Sequence, residues 1–164
     1  MENTKNKKIV TPLEALQKAR KYCAYSERCH FDVSLKLREW EIDEKTSNWI
    51  ITELIQEKFL NEERFAMSYT RGKFNQNKWG KNKIKQGLRQ KKITDFLIKK
   101  ALQSISDDDY YNVLKKEVQK YSKEKKLKNR NEFQKILYYL NQKGFETELI
   151  IEILKELKKE EDGL

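Results

Sequence analysis

Residues 81–105 read KNKIKQGLRQKKITDFLIKKALQSI. Between Lys81 and Lys92 the clear apolar residues are Ile84 and Leu88, an i, i+4 pair that marks the narrow inner face of a short helix. Ile93 follows, then Thr94 as a capping residue, and Ala101, Leu102 and Ile105 mark the inner face of a second helix. Shifted 51 residues toward the N-terminus, the pattern falls on Val33, Leu37, Ile42, Asp43, Ile50, Ile51 and Leu54. Shifted 52 residues the other way, it falls on Ile136, Leu140, Phe145, Glu146, Ile153, Leu154 and Leu157. Six apolar positions thus agree in three copies without a gap. In the last copy Thr147, one residue on, is the better capping side chain.

A further helix precedes each copy, at 12–25, about 61–75 and about 108–126, with Pro12 suited to a first turn. The expected fold is therefore all-α, with three tandem three-helix repeats of about 50 residues. A lone unit has a small core, so neighbours must pack on one another, and an elongated, curved molecule is expected. The expected boundaries are a polar arm at 1–11, repeats at 12–60, 61–106 and 107–160, and a tail at 161–164. The joints, near Asn61–Glu63 and Ser106–Asp109, carry acids that suit helix N-termini.

Composition agrees. One proline and five glycines leave little turn chemistry for a sheet, and the alternation that strands require is missing. Only 37% of the chain is apolar and 38% is charged, but the apolar residues are evenly spaced, which argues for thin folded cores rather than disorder. The first ten residues, MENTKNKKIV, have no apolar run after their lysines, and no window approaches a membrane span, so a cytoplasmic protein is expected. Cys23, Cys29 and the single histidine, His30, lie close together, but their spacing fits no zinc pattern. They read as small buried thiols of a reduced protein. No metal, cofactor or catalytic constellation is expected: there is no phosphate loop, and no nucleophile stands at useful spacing from a base.

The charge is concentrated. From Arg71 to Lys100 there are eleven Lys or Arg and one acid, Asp95, whereas residues 1–70 and 101–164 each balance. The whole net charge of +10 therefore resides in the middle thirty residues, the usual footprint of a polyanion partner. The candidate contacts are Arg71, Lys73, Lys78, Lys81, Lys83, Lys85, Arg89, Lys91 and Lys92, which position a backbone rather than read a sequence. Lys85, Arg89 and Lys92 are expected to line one edge of the short helix at i, i+4 and i+7. Lys78, Lys81 and Lys83 stand at its start, where a phosphate would be favoured. Gly80 serves there either as a close-approach point for a phosphate backbone or as a plain joint. Trp79 interleaves with the cations as a candidate stacking residue, and Phe74 reads as packing. The tyrosines at 110, 111, 121, 138 and 139 read as core of the last repeat, and Lys123–Lys128 as a solvated basic edge. Solvated lysines are the plain alternative for any single member of the set.

Certain segments resemble the RecX family of bacterial regulators of the RecA recombinase. Asn61-Glu62-Glu63-Arg64-Phe65-Ala66, then Tyr69 and Arg71, then Gly80, Ile84, Leu88, Arg89, Lys91 and Ile93 follow its signature in order and spacing. Tyr25-Ser26-Glu27-Arg28, Leu35 with Leu37, and Lys143-Gly144-Phe145 add matches in the outer repeats, so the resemblance spans roughly 13–157. Asn61 stands where an acid is usual, Lys92 where a glycine is common, and Trp40-Glu41 where Lys-Gly is common. Within the Glu-Glu-Arg-Phe-Ala box, Arg64 and Phe65 read as structural, with Glu62 or Glu63 capping the helix.

The resemblance implies a protein lying along the groove of the RecA–single-stranded DNA filament. It implies reduced filament growth, ATP hydrolysis, strand exchange and co-protease activity. The partners it implies are filamentous RecA, single-stranded DNA and double-stranded DNA as well; a monomer without a membrane partner is expected. Two other readings stay open: a helical nucleic-acid-binding protein without RecA, and a helical adaptor for proteins only.

Overall fold

The computed structural model describes residues 10–124, 130–161 and 163, and among these all regular structure is helical. The chain divides into two compact units, one ending at Phe65 and the other beginning at Ala66. The helices are α1 (Pro12–Tyr25), α2 (His30–Glu39), α3 (Glu44–Gln56), α4 (Glu62–Asn75), α5 (Lys81–Gln90), α6 (Asp95–Gln103), α7 (Asp107–Glu124), α8 (Arg130–Gln142) and α9 (Thr147–Glu161). The expected arm at 1–11 and tail at 161–164 lie mostly outside the described residues, as do the side chains of Lys123–Lys128.

In the first unit α1, α2 and α3 pack on one another around Ala15, Leu16, Ala19, Cys23, Val33, Leu37, Ile50, Leu54 and Leu60. Each helix starts on a residue that satisfies an otherwise unpaired amide. Thr11 and Glu14 form a reciprocal capping box with Pro12 in the first turn, and Asp43 Oδ1 accepts from Thr46 N at 2.9 Å. Hydrogen bonding with Thr46 holds the Asp43 carboxyl below its ordinary pKa. The Cys29 thiol takes the cap role for α2, with Sγ accepting from Asp32 N at 3.4 Å. Both cysteines are buried and unbridged, and burial pushes the Cys23 thiol up to about 11. Arg20 on α1 clasps Glu57 at the end of α3, keeping that carboxyl below its usual range.

Arg64 is structural, as expected. Its Nε donates to Glu27 at 2.6 Å, and its Nη2 donates to the Lys58 and Phe59 carbonyls. The capping residue differs from expectation: Asn61 Oδ1 accepts from Arg64 N, while Glu62 accepts from the His30 amide at 3.0 Å. A short side chain adjacent to the helix reaches the third amide, whereas a glutamate already inside the first turn points away from it.

The three repeats share one turn. After α2, α5 and α8 the chain reverses through Glu41, Lys92 and Gly144, with φ of 58°, 60° and 94°. The amides of Ile42, Ile93 and Phe145 reach back to the carbonyls of Leu37, Leu88 and Leu140. The amides of Glu41, Lys92 and Gly144 reach the carbonyls of Arg38, Arg89 and Asn141. This is the Schellman pattern with its accompanying apolar contact, and it explains why Leu and Ile or Phe recur five residues apart. Two of the three copies hold the left-handed position with a side chain that disfavours it. Lys92 is therefore past the end of α5 and not on its edge, which corrects the i+7 expectation.

In the second unit α5 packs on α6, and α7, α8 and α9 pack mutually. The repeat positions Ile84, Leu88, Ile93, Ile136, Leu140 and Phe145 are all buried. So are Ala101, Ile105, Ile153, Leu154 and Leu157, while Leu102 is half-buried. Ile105 lies two residues beyond the end of α6, which is four residues shorter than α3. Thr94 caps α6, but Thr147 does not cap α9: it is the first helical residue, and its hydroxyl donates to Asn141 at 3.0 Å. Glu146 keeps the register of Asp43 and Thr94, and its carboxylate accepts from the Tyr110 hydroxyl instead.

Tyr110 joins the middle and last repeats. Its ring lies between Phe74, at a centroid distance of 6.0 Å, and Phe145, at 5.5 Å. Its oxygen also accepts from the Lys81 amide at 3.0 Å. Burial and the bond to Glu146 raise its pKa well above the ordinary phenol value. Beside it, Gly80 N donates to the Lys143 carbonyl at 2.8 Å and Asn82 N to the Gly144 carbonyl at 3.0 Å. A Cβ on Gly80 would overlap the backbone of Gly144 and Phe145. Gly80 is thus a protein–protein joint inside the fold. The first two amides of α5 are spent on Tyr110 and Gly144, so the expected phosphate position at this helix start is filled by the chain itself.

Candidate nucleic-acid and partner interface

The middle repeat sorts its cations into three settings. On one side Trp79, half-buried, has the Lys73 ammonium 4.7 Å and the Lys83 ammonium 4.6 Å from its ring centre. Lys73 also stands 5.5 Å from the Tyr69 ring. Attraction of ammonium groups to the indole π-cloud holds two like charges together that would otherwise separate. Trp79, the candidate stacking residue, thus carries the ammonium groups of two of the protein's own lysines at its ring. Phe74 is buried against Tyr110, as its packing reading requires.

The second setting comprises residues at helix ends. Lys78 adopts φ 54° and its ammonium donates to the Asn75 carbonyl at 2.6 Å, finishing α4. Lys91 is the C-cap of α5, and Lys92 is the exposed left-handed residue beside it. Arg71 stands exposed on α4. Cations suit helix C-termini, where the carbonyl ends are partly negative, so part of this charge has a local structural cause.

The third setting is a cleft of about 710 Å³ bounded by α5, α6 and the start of α7. Lys81, Lys85 and Arg89, at i, i+4 and i+8, form the row along its α5 wall, and Lys99 faces them from α6. The true row thus runs through Lys81 rather than Lys92. Ile98, Leu102 and Ile105 contribute its apolar lining. Arg89 pairs with Asp95 at 3.1 Å and Lys81 with Asp107 at 3.5 Å, while the Lys81 ammonium also stands 4.6 Å from the Tyr110 ring centre. Among the described residues, Lys85 and Lys99 have no acid at ion-pair distance. Lys99 had no place among the sequence candidates. Its signal was weak, because it belongs to a different helix from the row that it faces.

Two aromatic expectations are corrected. Tyr110 is buried and Tyr111 donates to Glu156, but Tyr138 is 67% exposed and Tyr139 is 38% exposed, its ring tilted against Tyr121 at a centroid distance of 4.2 Å. The buried positions of this helix are Ile136 and Leu140, and the two tyrosines between them fall outside that face. Among the described residues no group of three or more His, Cys, Asp or Glu could hold a metal, and no helix is long and apolar enough to cross a membrane.

An all-α chain whose repeated three-helix units share a core pattern and differ in surface charge is a helical-repeat protein with its net positive charge in the middle unit. A family model for the second three-helix domain of RecX matches residues 61–102, which are α4, α5 and nearly all of α6. The regulatory protein RecX of Bacillus cytotoxicus is 28% identical over 153 residues, covering 91% of this chain and 56% of that protein. The crystal structure of RecX from Lactobacillus salivarius superposes with a TM-score of 0.81 at 29% identity, covering 90% of this chain and 96% of the other. A second RecX crystal structure gives 0.80 at 27% identity, covering 88% and 73%. The chain is thus similar to RecX regulatory proteins over about nine-tenths of its length, and its middle unit matches the second three-helix domain of RecX. It spans about half the length of the Bacillus relatives that it matches.

Proposed function

We propose that the protein regulates RecA by docking its middle repeat on the RecA–single-stranded DNA filament, lowering filament growth, ATP hydrolysis, strand exchange and co-protease activity. The observation that carries this reading is the Lys81–Lys85–Arg89 row, built on the α5 of the unit that the family model matches. Like charges at i, i+4 destabilise an isolated helix by a few tenths of a kcal/mol per pair, so a row of three is a feature that an anionic partner would offset. The net charge of this stretch would speed encounter with a polyanionic filament and make it sensitive to salt.

The test is single-stranded-DNA-dependent ATP hydrolysis by the cognate RecA, with this protein titrated in below the RecA concentration. The wild type is expected to suppress hydrolysis, and a Lys85→Glu/Arg89→Glu variant to need at least about tenfold more protein for the same effect. No change in rate with equimolar wild type would overturn the regulator reading and favour a plain nucleic-acid-binding protein. Equal potency of both proteins would keep regulation and remove the α5 row from the contact surface.

A further inference from the structure

We infer that the α5–α6 cleft is a docking site for a short acidic peptide segment carrying an aliphatic or aromatic side chain. The inference rests on the reading of the α5 row as a partner surface and names the chemistry that the row receives.

Three observations select a protein segment over a phosphodiester backbone. First, the cleft has an apolar floor. Ile98 and Ile105 are buried beneath it and Leu102 is half-buried, so a side chain laid on Leu102 and the lysine stems gains about 25 cal/mol per Å² covered, which a phosphate does not. Second, the free cations are central. Among the described residues Lys85 and Lys99 face the cleft from opposite helices without an acid, while Lys81 and Arg89, four residues to either side of Lys85, are engaged by Asp107 and Asp95.

Third, acids stand at both ends. The Asp107 side chain is fully exposed and that of Asp95 is 76% exposed. A continuous polyanion following the row would pass both carboxylates and be repelled at each end. A segment with its carboxylates clustered at the middle meets Lys85 and Lys99 and avoids both. A volume of about 710 Å³ is within the range that holds a few side chains. The corresponding α8 positions are Phe133, Leu137 and Asn141, so no such cationic row exists on the neighbouring repeat.

The experiment pans a random dodecapeptide phage library on the whole protein, with counter-selection on a Lys85→Glu/Lys99→Glu variant. Both lysines are partly or fully exposed, so the variant is expected to remain helical, which circular dichroism is to check before panning. Enriched peptides are expected to hold at least two Asp or Glu beside a Leu, Ile or Phe. One synthesised, fluorescein-labelled winner is expected to bind the wild type at least about tenfold more tightly than the variant. Replacing its apolar residue by serine is expected to weaken it by about tenfold or more.

The inference is overturned if no consensus emerges, if the consensus lacks acids, or if the serine form binds equally. Displacement of the peptide by oligo(dT) at DNA-saturating concentration would also overturn it, assigning the cleft to nucleic acid. Because no RecA is present, failure here leaves the ATP-hydrolysis test to judge the regulator reading separately.

Discussion

Helix α5 of the middle repeat and helix α8 of the last occupy equivalent places, and their inner faces are almost interchangeable. Ile84, Leu88 and Ile93 are buried as Ile136, Leu140 and Phe145 are, and both helices end in the same six-residue turn. Their outer faces differ at most positions, Lys83 with Lys135 and Gln90 with Gln142 being the exceptions. Where α5 presents Lys85, Gln86 and Arg89, α8 presents Leu137, Tyr138 and Asn141. The inner positions answer to packing, which is the same problem in every repeat. The outer ones are free of that constraint, and only in the middle repeat do they form a cationic row.

The largest effects should follow from breaking what the two helices share. Leu88→Ala and Leu140→Ala each remove a fully buried side chain that closes the turn, and each is expected to cost about 2–5 kcal/mol in urea denaturation. A difference of more than about 2 kcal/mol between them would show that the shared turn is not equally important in both repeats.

The left-handed position gives opposite signs. Gly144→Ala meets φ 94° and the neighbouring Lys83, and is expected to destabilise by about 1–3 kcal/mol. Lys92→Gly relieves an unfavourable φ of 60° and is expected to stabilise by up to about 1 kcal/mol. Thermal melts of the two variants check the pair, and a destabilising Lys92→Gly would mean that the lysine side chain has a role of its own.

The last repeat should also carry an alkaline signature. The bond from Tyr111 to Glu156 pushes the phenol up to about 12 from an ordinary 10.0. The folded form then holds a proton that the unfolded form releases, so this contribution is complete below pH 10 and declines as pH rises toward 12. Denaturant midpoints from pH 9 to pH 12 should fall less steeply in Tyr111→Phe than in the wild type.

The smallest effect on stability is expected from copying the outer face of α8 onto α5. Lys85→Leu/Arg89→Asn should shift unfolding by no more than about 0.5 kcal/mol while weakening suppression of RecA. A large loss of stability would mean that the basic row is part of the fold after all.

Much of this architecture was legible along the chain. The offsets of 51 and 52 residues located all three copies of the inner face, because periodicity and turn spacing are local properties that each repeat must satisfy on its own. The capping of α3 by Asp43 and of α6 by Thr94 was equally local. The failures have a common origin. Thr147 has good capping chemistry but sits one residue inside α9, and Lys92 continues a helical spacing that the helix itself does not continue. Both depend on where a backbone turns, which residue type only biases. Lys99 escaped notice because its relation to Lys85 and Arg89 is made by two helices packing, with no fixed spacing in sequence.

The sequence by itself determined the helical class, the threefold repeat, the inner face of each short helix and the confinement of the net charge to residues 71–100, since all of these are sums or periods along one chain. Only the tertiary structure decided that Gly80 seats on Gly144, that Tyr110 bridges Lys81 and Glu146, and that four cations line one cleft between α5 and α6. These are pairings between residues far apart in sequence, and they exist only once burial of the inner faces has brought the helices together.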